Sequence, residues 1–148
     1  MELDWEKLFK RYVWHDEKTP YLTRVARLSR AQAHYELRAY AVLMAVFFGA
    51  AALAALGPAL PHAGAAIVPL YAFSVCCAAV LLACTRHPSA ALWCAGAPFA
   101  LLAYFGVWGF HPRLELADKW VLVAIVLGLA AYSPRVVAVA RASQRLHG

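Results

Sequence analysis

Cys76, Cys77, Cys84 and Cys94 are the side chains of this sequence with the most distinctive chemistry, because all four fall inside apolar runs where thiols have few polar competitors. As thiolates they would suit copper, zinc or mercury, for which a hydroxyl is a poor substitute. Cys84 follows Cys77 by one heptad and so shares its helical face. Across the short polar break at 86–88, Cys84 and Cys94 are expected at similar depth and within reach of each other. The adjacent pair Cys76 and Cys77 cannot close a relaxed disulfide in a helix. A metal site built from these four cysteines is the alternative reading. The reading adopted is that they are small buried hydrophobes in a helix interface, and no metal or cofactor is assigned.

The remaining candidates offer less. A surface metal site from His15, Asp16, Glu17, His34 or Glu36 has suitable donors, but their spacing matches no zinc pattern. Haem between spans needs axial ligands pointing into the bundle, and the histidines are expected at the surfaces, His62 and His111 at the outer and His15, His34, His87 and His147 at the inner. Ion-coupled transporters and membrane hydrolases place ionisable groups within the bilayer. No Asp, Glu, Lys, Arg or His is expected at mid-depth, so no catalytic residue is assigned.

The elements that would hold these groups are membrane helices. From Ala39 to Thr85 there is no Asp, Glu, Lys or Arg, a length that crosses a bilayer twice. Gly57, Pro58, Pro61, His62 and Gly64 interrupt it and mark a turn. Hydrophobic residues make up 64% of the 148 residues and charged ones 15%, far from the soluble average. The net charge of +6 lies beside apolar spans, where anionic headgroups account for it without nucleic acid.

In chain order, residues 1–28 form a cytoplasmic segment and residues 29–148 a four-helix transmembrane domain. Within the first, a helix over about 4–13 gathers Trp5, Leu8, Phe9, Tyr12 and Val13 on one arc, with Lys7, Lys10 and Arg11 opposite. That amphipathic pattern suits a helix lying in the membrane interface or on a partner. Pro20 closes a polar loop, and Arg24, Arg27 and Arg30 follow as a basic surface. Ser29 and Gln32 have capping-box spacing, so the first long helix should begin there. The acidic residues before the first span argue against a cleaved signal, and no lipidation motif is present.

Spans are expected at about 37–57, 65–85, 89–110 and 119–140, paired as two hairpins: an all-α membrane protein. Ala41, Ala45 and Gly49 form a four-residue repeat of small side chains on which another helix could pack closely. Pro98 should kink the third span. Asp118 is expected to cap the fourth, which reaches full length only if Arg135 snorkels toward headgroups.

Twelve of the fourteen Lys and Arg residues fall on the side of the termini, which places both termini in the cytoplasm. Aromatic belts follow the same plan. Tyr35, Tyr40, Trp93 and Tyr132 are expected at the inner boundary, and Tyr71, Tyr104, Trp108, Phe110 and Trp120 at the outer. The orientation and composition indicate a multi-pass protein of a bacterial-type inner membrane.

Function is reached by elimination. With no catalytic handle, the expected role is a non-catalytic accessory or scaffold subunit, in contact with anionic lipid and packed on a larger membrane complex or on copies of itself. The alternatives are a transporter or channel subunit for a thiophilic metal or uncharged solute, using the cysteines, and a lipid-active membrane enzyme.

Overall fold

The computed structural model describes residues 24–56, 66–110 and 114–145. These residues form helices with no strand among them: a single 3-10 turn at Val25–Arg27, then α1 (Arg30–Leu56), α2 (Ile67–Thr85), α3 (Pro88–Trp108) and α4 (Leu116–Arg145). All four are long and apolar enough to cross a membrane, which fits a multi-pass membrane protein. The expected amphipathic helix over 4–13, with Trp5, Leu8, Phe9, Tyr12 and Val13, falls outside the described residues, as does the expected turn at 57–65.

Local chemistry sets the helix ends. Ser29 and Gln32 exchange hydrogen bonds, the amide of Ser29 donating to Gln32 Oε1 (3.0 Å) and the amide of Gln32 to Ser29 Oγ (3.2 Å). This is the reciprocal pair that satisfies orphan donors at a helix start. Between α2 and α3 only Arg86 and His87 intervene. Arg86 takes the left-handed conformation (φ 55°) and its amide donates to the Leu82 carbonyl, closing the end of α2. His87 is extended and its Nδ1 accepts the Ser89 amide, while Pro88 begins α3 where a missing donor costs nothing. Gly109, at φ 74°, ends α3 with its amide on the Phe105 carbonyl, a conformation glycine adopts without Cβ strain.

α4 departs from expectation in two ways. It begins at Leu116, so Asp118 stands in the first turn instead of capping the helix, where its charge still complements the helix dipole. It also continues through Pro134 to Arg145 instead of stopping near residue 140. Ser133, just before that proline, turns its hydroxyl back to the Leu129 carbonyl at 2.8 Å, as buried serines in helices do.

The helices close into a ring in which α1 packs on α2, α2 on α3, α3 on α4 and α4 on α1. The α1–α2 face is the most extensive and the α1–α4 face the least. Much of the core is alanine, including Ala33, Ala41, Ala79, Ala91 and Ala97, around a few larger side chains such as Leu37, Met44, Val75, Leu82 and Val136. Small residues let helix backbones approach closely when lipid, not water, surrounds them. The bulky apolar side chains point outward instead: Val46, Leu53, Phe73, Phe99 and Val107 are all exposed. In the most apolar stretch of each helix only 22 to 33% of the residues are buried, so most of that surface needs a lipid or protein neighbour.

Candidate functional site

The polar centre of the bundle lies between α1 and α4. Glu36, one turn and a half into α1, is the only buried charged residue among those described. Arg135 of α4 reaches across and donates from Nε to Glu36 Oε1 at 2.6 Å and from Nη2 to Oε2 at 3.1 Å. Tyr132, one turn earlier on α4, donates its hydroxyl to the same carboxylate. Two parallel bonds from a planar guanidinium are the strongest form of this pairing. The Glu36 side chain has no exposure, and Arg135 keeps 21%.

A second, neutral layer sits beside it. Tyr40 lies four residues beyond Glu36 on the same face of α1, and its hydroxyl is 3.4 Å from Ser133 Oγ. Since the Ser133 proton is committed to Leu129, Tyr40 is the donor in this contact. The rings of Tyr40 and Tyr132 lie 6.1 Å apart. Pairing 36 with 135 and 40 with 132 and 133 makes α1 and α4 antiparallel. The start of α1 and the end of α4 therefore share one end of the bundle.

These findings correct one expectation. Arg135 does not snorkel to headgroups; its guanidinium is held inward by Glu36. Glu36, whose spacing to other donors matches no zinc pattern, has its carboxylate buried and already engaged. The signal that could have found the pair is isolation: Glu36 is the only acid between Glu17 and Glu115, and Arg135 the only cation between Lys119 and Arg141. A lone acid and a lone cation flanking apolar helices are natural partners.

Next to the cluster, α1 and α4 part to leave a cleft of about 570 Å³, whose polar end is Glu36, Tyr40 and Tyr132 and whose apolar walls include Leu43, Ile125 and Gly128. A Cβ built on Gly128 would meet nothing within 4 Å, so the missing side chain holds that wall open.

The cysteines differ in exposure. Cys94 is buried, Cys76 half-buried, and Cys77 and Cys84 are exposed, all four with free thiols. Among the described residues no three His, Cys, Asp or Glu side chains gather as a metal site would require. Cys76 instead donates to the Ala45 carbonyl at 3.7 Å, and a Cβ on Gly49 would lie 3.9 Å from its sulfur. Ala45 and Gly49 therefore face α2; Ala41 and Pro98 are buried. Arg24, Arg27 and Arg30 are exposed.

Tyr71 and Trp93 do not mark opposite boundaries as expected. Their rings are 6.1 Å apart, and the Trp93 indole donates to Ser74 Oγ at 3.2 Å, so the two aromatics share one level between α2 and α3. Ser74 passes the bond on to the Tyr71 carbonyl at 2.7 Å. Distance along the chain from the helix ends does not reveal this contact, because it depends on how α2 and α3 pack.

No family model, curated protein or solved structure matches this chain.

Proposed function

We propose that this protein is a non-catalytic accessory or scaffold subunit of a larger membrane complex, or of an assembly of its own copies. The observation that carries the reading is the Glu36–Arg135–Tyr132 cluster. Its carboxylate accepts from an arginine and a tyrosine of the same bundle, which is what a clasp between two helices requires. A coupling-ion site or a general base needs a lone pair free for a proton or substrate. The clasp fixes α1 against α4 where their packing is least extensive, and large apolar side chains are left outward for partners and lipid.

In this reading the chain crosses a bacterial-type inner membrane as two hairpins, α1–α2 and α3–α4, with both termini cytoplasmic. The segment at 4–13 folds as an amphipathic helix that docks through Trp5, Leu8, Phe9, Tyr12 and Val13, with Arg24, Arg27 and Arg30 meeting anionic lipid or an acidic partner surface. Purification of the tagged protein in mild detergent tests the role. A membrane-protein partner is expected in fixed stoichiometry with the wild type and depleted with the Leu8→Glu/Phe9→Glu variant. A wild type that elutes alone as a monomer sinks the proposal.

A further inference from the structure

We infer that the cleft between α1 and α4 is a binding site for one anionic phospholipid, with an acyl chain in the cleft and the phosphate in a collar of arginines at the bundle end where α1 begins. Three observations converge on this occupant.

The first is the polarity gradient of the cleft. Its polar lining, Glu36 and Tyr132, lies near the start of α1, and its apolar lining, Leu43 and Ile125, lies deeper. Seven helical residues from Glu36 to Leu43 correspond to about 10 Å of depth, so the slot leads from the polar end of the bundle into the apolar zone. Its volume of about 570 Å³ is that of a small-ligand pocket.

The second is the way in. Leu43 and Ile125 are 51% and 46% exposed, and the space beside Gly128 is empty. The cleft therefore opens sideways, toward the medium that surrounds the apolar helices. A lipid tail enters by that route without crossing a polar barrier.

The third is charge. Arg38, beside the cleft-lining Ala39, is exposed, as are Arg24, Arg27 and Arg30 before it and Arg141 and Arg145 on α4. The 3-10 turn that ends in Arg27 packs against α4, which brings these cations to the same end of the molecule. Among the described residues the acid at that end, Glu36, is neutralised by Arg135. Glu115 and Asp118 stand at the opposite end of α4. The collar is thus net positive and selects a phosphate head without a compensating amine.

The test is native mass spectrometry of the purified full-length protein, equilibrated with equal amounts of phosphatidylglycerol and phosphatidylcholine of the same chain length, with and without millimolar inorganic phosphate. The wild type is expected to retain one phosphatidylglycerol with at least five-fold preference, undiminished by inorganic phosphate. Gly128→Leu fills the slot and should lose the retained lipid, whereas Arg38→Gln/Arg141→Gln should keep a lipid but approach parity between headgroups. Gly128→Ala, whose methyl enters open space, should fall between wild type and Gly128→Leu and guards against a folding defect in the larger variant. Equal retention by the wild type and both Gly128 variants would show only annular lipid and overturn the site. Equal retention of the two lipids by the wild type, or displacement of phosphatidylglycerol by inorganic phosphate, would overturn the assigned occupant.

Discussion

Glu36 and Arg135 are 99 positions apart in the chain, and the guanidinium of one holds the carboxylate of the other through bonds of 2.6 and 3.1 Å. The partners are not equivalent, because the glutamate side chain is wholly buried and the arginine is 21% exposed. Removing Arg135 strands a carboxylate away from water. Removing Glu36 frees a cation on a long stem that can turn toward headgroups.

Arg135→Ala should therefore cost on the order of 3–5 kcal/mol of stability, as breaking a buried pair does. Glu36→Gln, which keeps an acceptor for Tyr132, should cost about 1–3 kcal/mol. Replacing both residues by methionine should recover most of the loss, since a well-packed apolar pair often matches a buried ion pair. Denaturation midpoints of the detergent-solubilised variants provide the comparison; equal losses for the two single variants would refute the asymmetry.

The two tyrosines offer a graded version of the same experiment. Tyr132→Phe removes a donor to a charged acceptor and should cost about 1.5–3 kcal/mol. Tyr40→Phe removes a long neutral contact to Ser133, whose own proton remains on Leu129, and should cost about 1 kcal/mol or less. A larger loss for Tyr40 would move the structural weight from the ionic layer to the neutral one.

The four long helices were legible from sequence because apolar length and charge-free runs are one-dimensional signals. The ends at Ser29 and around Arg86–Pro88 were legible for a related reason, since capping chemistry acts over a few residues. The clasp was not, because Glu36 stands among Arg24, Arg27, Arg30 and Arg38 and reads as part of a solvated basic segment. The capping box already places Glu36 inside α1, but only the fold shows that the residue turns toward α4. The meeting of Tyr71 with Trp93 was hidden likewise, since helix crossing is a relation between elements.

Small residues on α1 pack against α2 at Gly49 and into the core at Ala41, which sets opposite outcomes at two positions. Gly49→Ala places its methyl 3.9 Å from Cys76 Sγ, an ordinary van der Waals contact, and removes a helix-weakening glycine. It should be neutral or stabilise by up to about 1 kcal/mol. Ala41→Leu, at a site only 2% exposed, should overpack the core and cost about 1–3 kcal/mol. Thermal midpoints in one detergent test both, and a stable Ala41→Leu protein would argue that the core around α1 is loose.

Topology is open to direct measurement. Reporter fusions after residues 28 and 148 should report the cytoplasm, and fusions at residues 62 and 114 the opposite side. A cytoplasmic signal at residue 62 would remove the first crossing pair and with it the shared end for the two termini.

The cysteines separate a packing role from a metal role. If they only pack, changing all four to Ala should cost on the order of 1 kcal/mol at buried Cys94 and less at exposed Cys77 and Cys84, and the cellular phenotype should persist. Thiol labelling should also follow water access and not bare exposure. Cys84 adjoins the polar connection at Arg86 and should react first. Cys77 is exposed but lies deeper in an apolar helix, away from water, and Cys94 is enclosed by protein. The expected order with a membrane-permeant maleimide is therefore Cys84, Cys77, Cys94. Cys94 reacting first in the folded protein would contradict its burial. Stoichiometric copper, zinc or mercury on the wild type but not on the four-fold variant, with loss of the phenotype, would replace the packing role by a metal site that requires the helices to rearrange.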